Sequence, residues 1–276
     1  MTVEETPALF AGEGDVLLPL PWARGPWTPE ALHGGPVAAA IVRAAEQCRP
    51  EADAHLSRLT VELLRPVPMA PLEVTAEMVR PGRKVQVIDV RVRAGDLEVA
   101  WGRALRIRSH APGDPAGAGL SAAAAEGPVP GTSPAAPPGP GDGHGSPALV
   151  SGYLAFHNEG AELRFVRGEF DRLGPSAVWI RLAVPVVAGE EPSPAQRAVV
   201  AADFGNGVSA ELDYEHYVYI NPDLTVYLER PPVGEWVCLE ATTRLGTPGV
   251  GLAQSVLWDE LGPVGRSLQS LVTERR

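Results

Sequence analysis

Apolar and polar residues alternate in two stretches of the N-terminal half. Leu59, Val61 and Leu63 interleave with Arg58, Thr60 and Glu62, and Leu97, Val99 and Trp101 interleave with Asp96, Glu98 and Ala100. A period of two predicts half-buried antiparallel strands. Ahead of them the period changes: Val37, Ala38, Ile41, Val42, Ala45 and Cys48 recur at helical spacing and predict a helix from about Pro36 to Cys48. Its alanines allow close approach of a sheet, and two glycines followed by proline make a start signal. In the C-terminal half, Pro194 to Phe204 takes the same place ahead of a similar run of strands. One residue there breaks the pattern. Asp203 falls in the last turn of the predicted helix, among Val199, Val200, Ala202 and Phe204, with its charge at the negative end of the macrodipole. Breaks of this kind concentrate at functional sites.

The halves repeat each other. LTVELLRP at Leu59 to Pro66 returns as LTVYLERP at Leu224 to Pro231, PLEVTAEMVRPG is answered by EWVCLEATTRLG, and Gly102-Arg103-Ala104-Leu105 by Gly265-Arg266-Ser267-Leu268. Matches in the same order indicate a duplicated unit. Each unit is expected to be one helix followed by several long strands, with a short strand before the helix. Between the units, 30 of the 37 residues from Ala111 to Pro147 are Ala, Gly, Pro or Ser. Such composition buries too little to offset its ordering entropy and is expected to be a dispensable flexible linker. The division is therefore an N-terminal domain, 1–110, a linker, 111–147, and a C-terminal domain, 148–276.

Composition narrows the function. Apolar residues make up 45% of the chain, enough for a substantial core, and the net charge is −11 with scattered Lys and Arg, which argues against nucleic acid and acidic membranes as partners. Cys48 and Cys238 stand apart without a CxxC or a neighbouring His, so neither a disulfide framework nor a metal site is expected. The chain start is acidic and leads into no long apolar run, which places the protein in the cytoplasm. With no GxGxxG after a strand, no nicotinamide cofactor is expected, and no other cofactor is called for.

The runs ALHGGPVAAAIVRAAE, AADFGNG with YINPDLTVYLERPPVGEW, and GPVGRSLQSLV resemble acyl-CoA thioesterases of the thioesterase II type. That resemblance covers nearly all of the chain outside the linker. It implies an α+β fold, a tandem (double) hotdog in which each half wraps a long helix in a curved antiparallel sheet, and the hydrolysis of acyl-CoA within lipid metabolism. It also implies a water held by an Asp, a hydroxyl residue and a Gln. Motif by motif, the Asp falls on Asp203, the Gln on Gln269 and the hydroxyl position on Asn221, a departure that keeps a donor and an acceptor. Glu229 stands where better-known members carry His, and no role is drawn from it.

The repeat offers an independent check. The first unit has Arg106 in place of Gln269, Leu56 in place of Asn221 and Glu46 as its nearest acid, so one functional and one degenerate site are expected. A thioester needs little more than an oriented water, a base and oxyanion donors. Gly34 and Gly35, at a helix start, let substrate meet the backbone, and the Gly35 amide is the expected donor. His33 is read either as lining the site or as capping that loop, with the cap favoured. His157 and His216 are read as solvated, and His110 and His144 belong with the linker. No GxSxG marks a serine nucleophile. Two alternatives remain: a non-catalytic acyl-CoA-binding protein, and a hydratase or dehydratase, which lacks the expected His after Asp203. Homo-oligomer formation is left open.

Overall fold

The computed structural model describes residues 7–50, 54–109, 135–146, 152–246 and 248–276. In the first half, β1 (Phe10–Glu13) and β2 (Val16–Pro19) precede α1 (Gly34–Gln47), which is followed by β3 (Ala54–Leu63), β4 (Leu72–Pro81), β5 (Val85–Ala94) and β6 (Leu97–Arg108). The second half has β7 (Ala161–Arg167), β8 (Ser176–Leu182), α2 (Pro194–Ala202), the short β9 (Tyr217–Ile220), then β10 (Asp223–Leu228), β11 (Trp236–Leu245), β12 (Val250–Asp259) and β13 (Gly262–Arg275). Two strands, where one was expected, precede each helix.

All these strands join one sheet in the order β1-β2-β4-β5-β6-β3-β10-β13-β12-β11-β8-β7, with β9 on β13. The order is palindromic in kind: the second half lays down its strands as the first does and meets it head on. The meeting point is the sequence repeat itself. β3 and β10 pair antiparallel with Leu59 opposite Val226, Thr60 opposite Thr225 and Val61 opposite Leu224, and the Thr225 hydroxyl donates to that of Thr60 at 3.3 Å. Two copies of LTV paired antiparallel set a pseudo-twofold axis between the two threonines.

The helices pack side by side under this sheet, with Leu59, Val61, Val90, Val92, Ile41 and Val199 in one core. The β3 alternation holds, since Leu59 and Val61 are buried. In β6 it shifts: Ala100, Gly102 and Ala104 face the helix, whereas Trp101 turns outward beneath the Arg103 guanidinium, 5.1 Å from its ring centroid. Space is the reason. A Cβ on Gly102 would come 2.4 Å from Ile41 Cγ2, so small residues must line this face and the large ring takes the other.

The Ala/Gly/Pro segment is ordered where it is described, at 135–146, and residues 110–134, with His110, lie outside the described residues. Trp179 Nε1 donates to Pro138 O at 2.7 Å, His144 exchanges backbone hydrogen bonds with Phe165, and Ser146 Oγ accepts from Phe170 N. These contacts depart from the expectation of a dispensable linker. They are made largely by backbone, which composition does not weigh.

Candidate functional site

The N-terminus of α1 meets the C-terminus of α2, and the expected residues converge at this junction. Helix α1 begins at Gly34, two residues earlier than the apolar pattern suggests, with His33 as its N-cap. Helix α2 stops at Ala202, so Asp203 is its C-cap and not part of its last turn. The Asp203 carboxylate is buried at 4% exposure. Asn221, just before β10, donates through Nδ2 to Asp203 Oδ1 at 2.9 Å. Gln269 on β13 donates through Nε2 to Asp203 O at 3.2 Å and Oδ1 at 3.3 Å, while its Oε1 accepts from Asn206 N.

His33 completes the group, where the sequence reading favoured a cap over a place in the site. Its Nδ1 lies 2.8 Å from Asp203 Oδ2 and 3.2 Å from Gly35 N. One ring nitrogen cannot serve both. As N–H it donates to the carboxylate; as a lone pair it caps Gly35 but then faces an anionic oxygen at hydrogen-bond distance. With Asp203 ionised the first arrangement is favoured. Phe156 and Phe204 hold the imidazole, with ring centroids 5.0 and 5.1 Å away. The signal in the sequence was the His beside Gly-Gly-Pro, but a capping role satisfied the same residue.

The two glycines separate in function. Gly34 lines the pocket over Asp203, its N–H makes no hydrogen bond among the described residues, and a Cβ there would fall 2.8 Å from both carboxylate oxygens. Gly35 is buried behind it, against Val200 O, and does not line the pocket. Geometry therefore favours the Gly34 amide over that of Gly35 as the donor open to a ligand.

From this junction opens a cavity of about 380 Å³. Its walls are mostly apolar and aromatic, including Trp27, Leu32, Phe170, Phe204 and Tyr214, the setting expected of a site for a largely apolar ligand with few polar anchors. Tyr214 is fixed by its hydroxyl, which donates to Gly207 O at 2.8 Å, and burial raises its pKa well above the usual phenol range.

Models of the N-terminal and C-terminal domains of acyl-CoA thioesterases match residues 23–107 and 125–273. The chain belongs to the acyl-CoA thioesterase family. It is thus a thioesterase, and solved structures agree on its double hotdog fold. A hot dog fold protein of unknown function from Alicyclobacillus acidocaldarius superposes with a TM-score of 0.70 at 17% identity, covering 100% of this chain and 98% of its own. A putative thioesterase II from Thermobifida fusca YX gives 0.68 at 16%, covering 99% and 97%. The acyl-CoA thioesterase II TesB2 from Mycobacterium marinum gives 0.65 at 16%, covering 96% and 94%. No curated protein matches the sequence.

The remaining polar residues of this thioesterase lie elsewhere or are already engaged. His157 lines the pocket and is buried at 3% exposure, contrary to the solvated reading, because a short π-turn at Phe156–Gly160 folds it inward. His216 is exposed and its Nδ1 meets Asp213 Oδ1 at 2.6 Å. Ser209 Oγ donates to Gly205 O and shares a hydrogen bond with Thr243, which leaves it no nucleophilic role. No helix among the described residues is long and apolar enough to cross a membrane.

Proposed function

We propose that the chain hydrolyses acyl-CoA thioesters at the α1–α2 junction, with Asp203 as general base. The observation that carries this reading is the carboxylate itself, buried at a pocket wall and held by three donors. A carboxylate offers about four lone-pair sites. Asn221 and Gln269 use Oδ1 and His33 uses one site on Oδ2, which leaves one for a water. Asn221 Oδ1 can accept the second proton of that water, so that an oxygen lone pair points at the thioester carbon. The Asn in place of a hydroxyl residue thus keeps the water-orienting role.

The Gly34 N–H, free at the positive end of α1, is the donor for the developing oxyanion. Attack forms the new C–O bond while Asp203 takes the proton from water. Collapse of the tetrahedral intermediate breaks the C–S bond, and the proton passes to the departing thiolate, giving free acid and CoA. No metal or covalent intermediate enters this route. The test is free-thiol release across a panel of acyl-CoA substrates, with Asp203→Asn beside the wild type. Thiol release by both proteins at equal rates overturns the assignment of Asp203.

A further inference from the structure

Asp203 is the sole carboxylate among the residues lining the pocket, and Arg65 is the sole guanidinium. Arg65 follows directly on β3, is exposed at the mouth, and forms no side-chain hydrogen bond or ion pair among the described residues. Its fellow in the repeat behaves differently. Arg230, the Arg of the second LTVxLxRP copy, is clamped by Asp259 through two hydrogen bonds of 2.5 and 2.7 Å and also donates to Gly262 O. Among the described residues the duplicated arginine is therefore structural in one unit and unpaired in the other, and the unpaired copy is an exposed residue of the pocket lining. In a chain of net charge −11, an anionic ligand gains most from a positive group placed at the entrance.

We propose that Arg65 binds a phosphate of the thiol carrier, with CoA as that carrier, and so selects acyl-CoA over thioesters without phosphate. The inference deepens the hydrolytic reading and rests on it. With the thioester carbonyl at Gly34 and Asp203, and the acyl group against Phe170 and Tyr214, the pantetheine arm leaves past Arg65. A guanidinium suits a phosphate there because its forked donors match two oxygens at once.

The experiment compares wild type, Arg65→Ala and Arg65→Lys on one acyl group carried by CoA, by phosphopantetheine and by N-acetylcysteamine, which has no phosphate. Loss of this solvent-exposed, charge-assisted contact should raise KM for the CoA thioester about tenfold in Arg65→Ala, with kcat little changed, and Lys should recover part of the loss. The wild-type KM should also rise more steeply with salt than that of Arg65→Ala. With N-acetylcysteamine the three proteins should match. Phosphopantetheine locates the contact: a retained effect assigns the phosphate next to the arm, and a lost effect assigns the nucleotide end of CoA. Equal KM changes with and without phosphate overturn the proposal, as does an unchanged KM for acyl-CoA. If the wild type releases no thiol from any of these substrates, the hydrolytic reading fails by itself. Arg65 is then judged by calorimetric binding of a non-hydrolysable acyl-CoA thioether, where equal affinities of wild type and Arg65→Ala overturn it.

Discussion

The molecule contains two helix junctions related by the pseudo-twofold axis, and they are built for different ends. At one, the C-terminus of α2 delivers Asp203 to the N-terminus of α1, where His33, Gly34 and two side-chain amides surround it beside an open cavity. At the other, the C-terminus of α1 brings Glu46 to the N-terminus of α2. Ser193 Oγ there donates to Glu46 at 2.8 Å and Gln196 Nε2 at 3.3 Å. Arg106 fills the position of Gln269 and donates to Ala45 O, Cys48 O and Arg49 O at 3.3, 2.9 and 3.1 Å. The guanidinium spends its donors on the end of α1, while Gln269 donates an uncharged amide to Asp203 at the wall of the pocket. Leu56, buried in the place of Asn221, removes the second water contact. The same scaffold thus gives a candidate reaction site with neutral partners and a structural clamp with a cation.

The largest difference between the junctions should appear on removing the proposed base, Asp203. Asp203→Asn keeps size and one acceptor oxygen but replaces the other by an N–H donor, and should lower turnover by at least ~10², the lower range for losing a general base. Circular dichroism and melting should report an intact fold. Gly34→Ala comes next. Its added Cβ, 2.8 Å from both Asp203 oxygens, requires the carboxylate to shift, and turnover should fall by up to about 10², the cost of a misplacement of about 1 Å. A normal rate in a folded Gly34→Ala protein would show that Asp203 need not sit where it does. His33→Ser carries the Ser193 cap of the second junction into the first. It preserves helix capping, so the melting temperature should move little, while turnover falls about tenfold as one donor to the carboxylate is lost. Unchanged turnover would return His33 to a purely capping role.

How far this contrast was legible in the sequence depends on the kind of contact involved. The repeat was decisive for the fold, because LTV pairs with LTV at the centre of the sheet and any duplicate of a central strand shows in the text. Asp203, Asn221 and Gln269 were brought together as expected, the first two from the ends of elements and Gln269 from the middle of β13. For His33 the cap was favoured over a place in the site because a residue at a helix start can satisfy that role locally, and its approach to Asp203 is a contact across 170 residues of sequence. Gly35 was preferred over Gly34 because the sequence does not tell which of two adjacent amides faces the cavity. Trp101 was placed inward by alternation, but the closeness of Ile41 to Gly102 reserves that face for small residues.

On the structural side of the comparison, Arg106→Gln imitates Gln269 yet cannot reach three carbonyls. Loss of roughly 2 kcal/mol of buried hydrogen bonding should lower the melting temperature by about 5 °C, with turnover per folded molecule unchanged. Arg49, held at φ 52° beyond the end of α1, makes this end depend on the guanidinium more than a relaxed turn would. A melting temperature equal to that of wild type would show that the clamp contributes nothing.

The smallest effect belongs to Glu46, and its direction distinguishes a structural carboxylate from a catalytic one. Burial raises its pKa above the ordinary 4.5, against the opposing pull of hydrogen bonds from Ser193 and Gln196 and the charge of Arg106. The folded protein therefore holds this proton to higher pH than the unfolded chain does. The associated stability is fully present below about 4.5 and is lost as pH rises through the folded value. Glu46→Gln keeps the acceptor for Ser193, and the Gln196 amide can turn to present its oxygen to the new amide. The variant should melt about 2 °C above wild type at pH 7, and the difference should vanish at pH 4, where both side chains are neutral. Thiol release should be the same for the two proteins at pH 7. A gap in melting temperature that widens toward acid would mean that the carboxylate is stabilised by its partners as an anion.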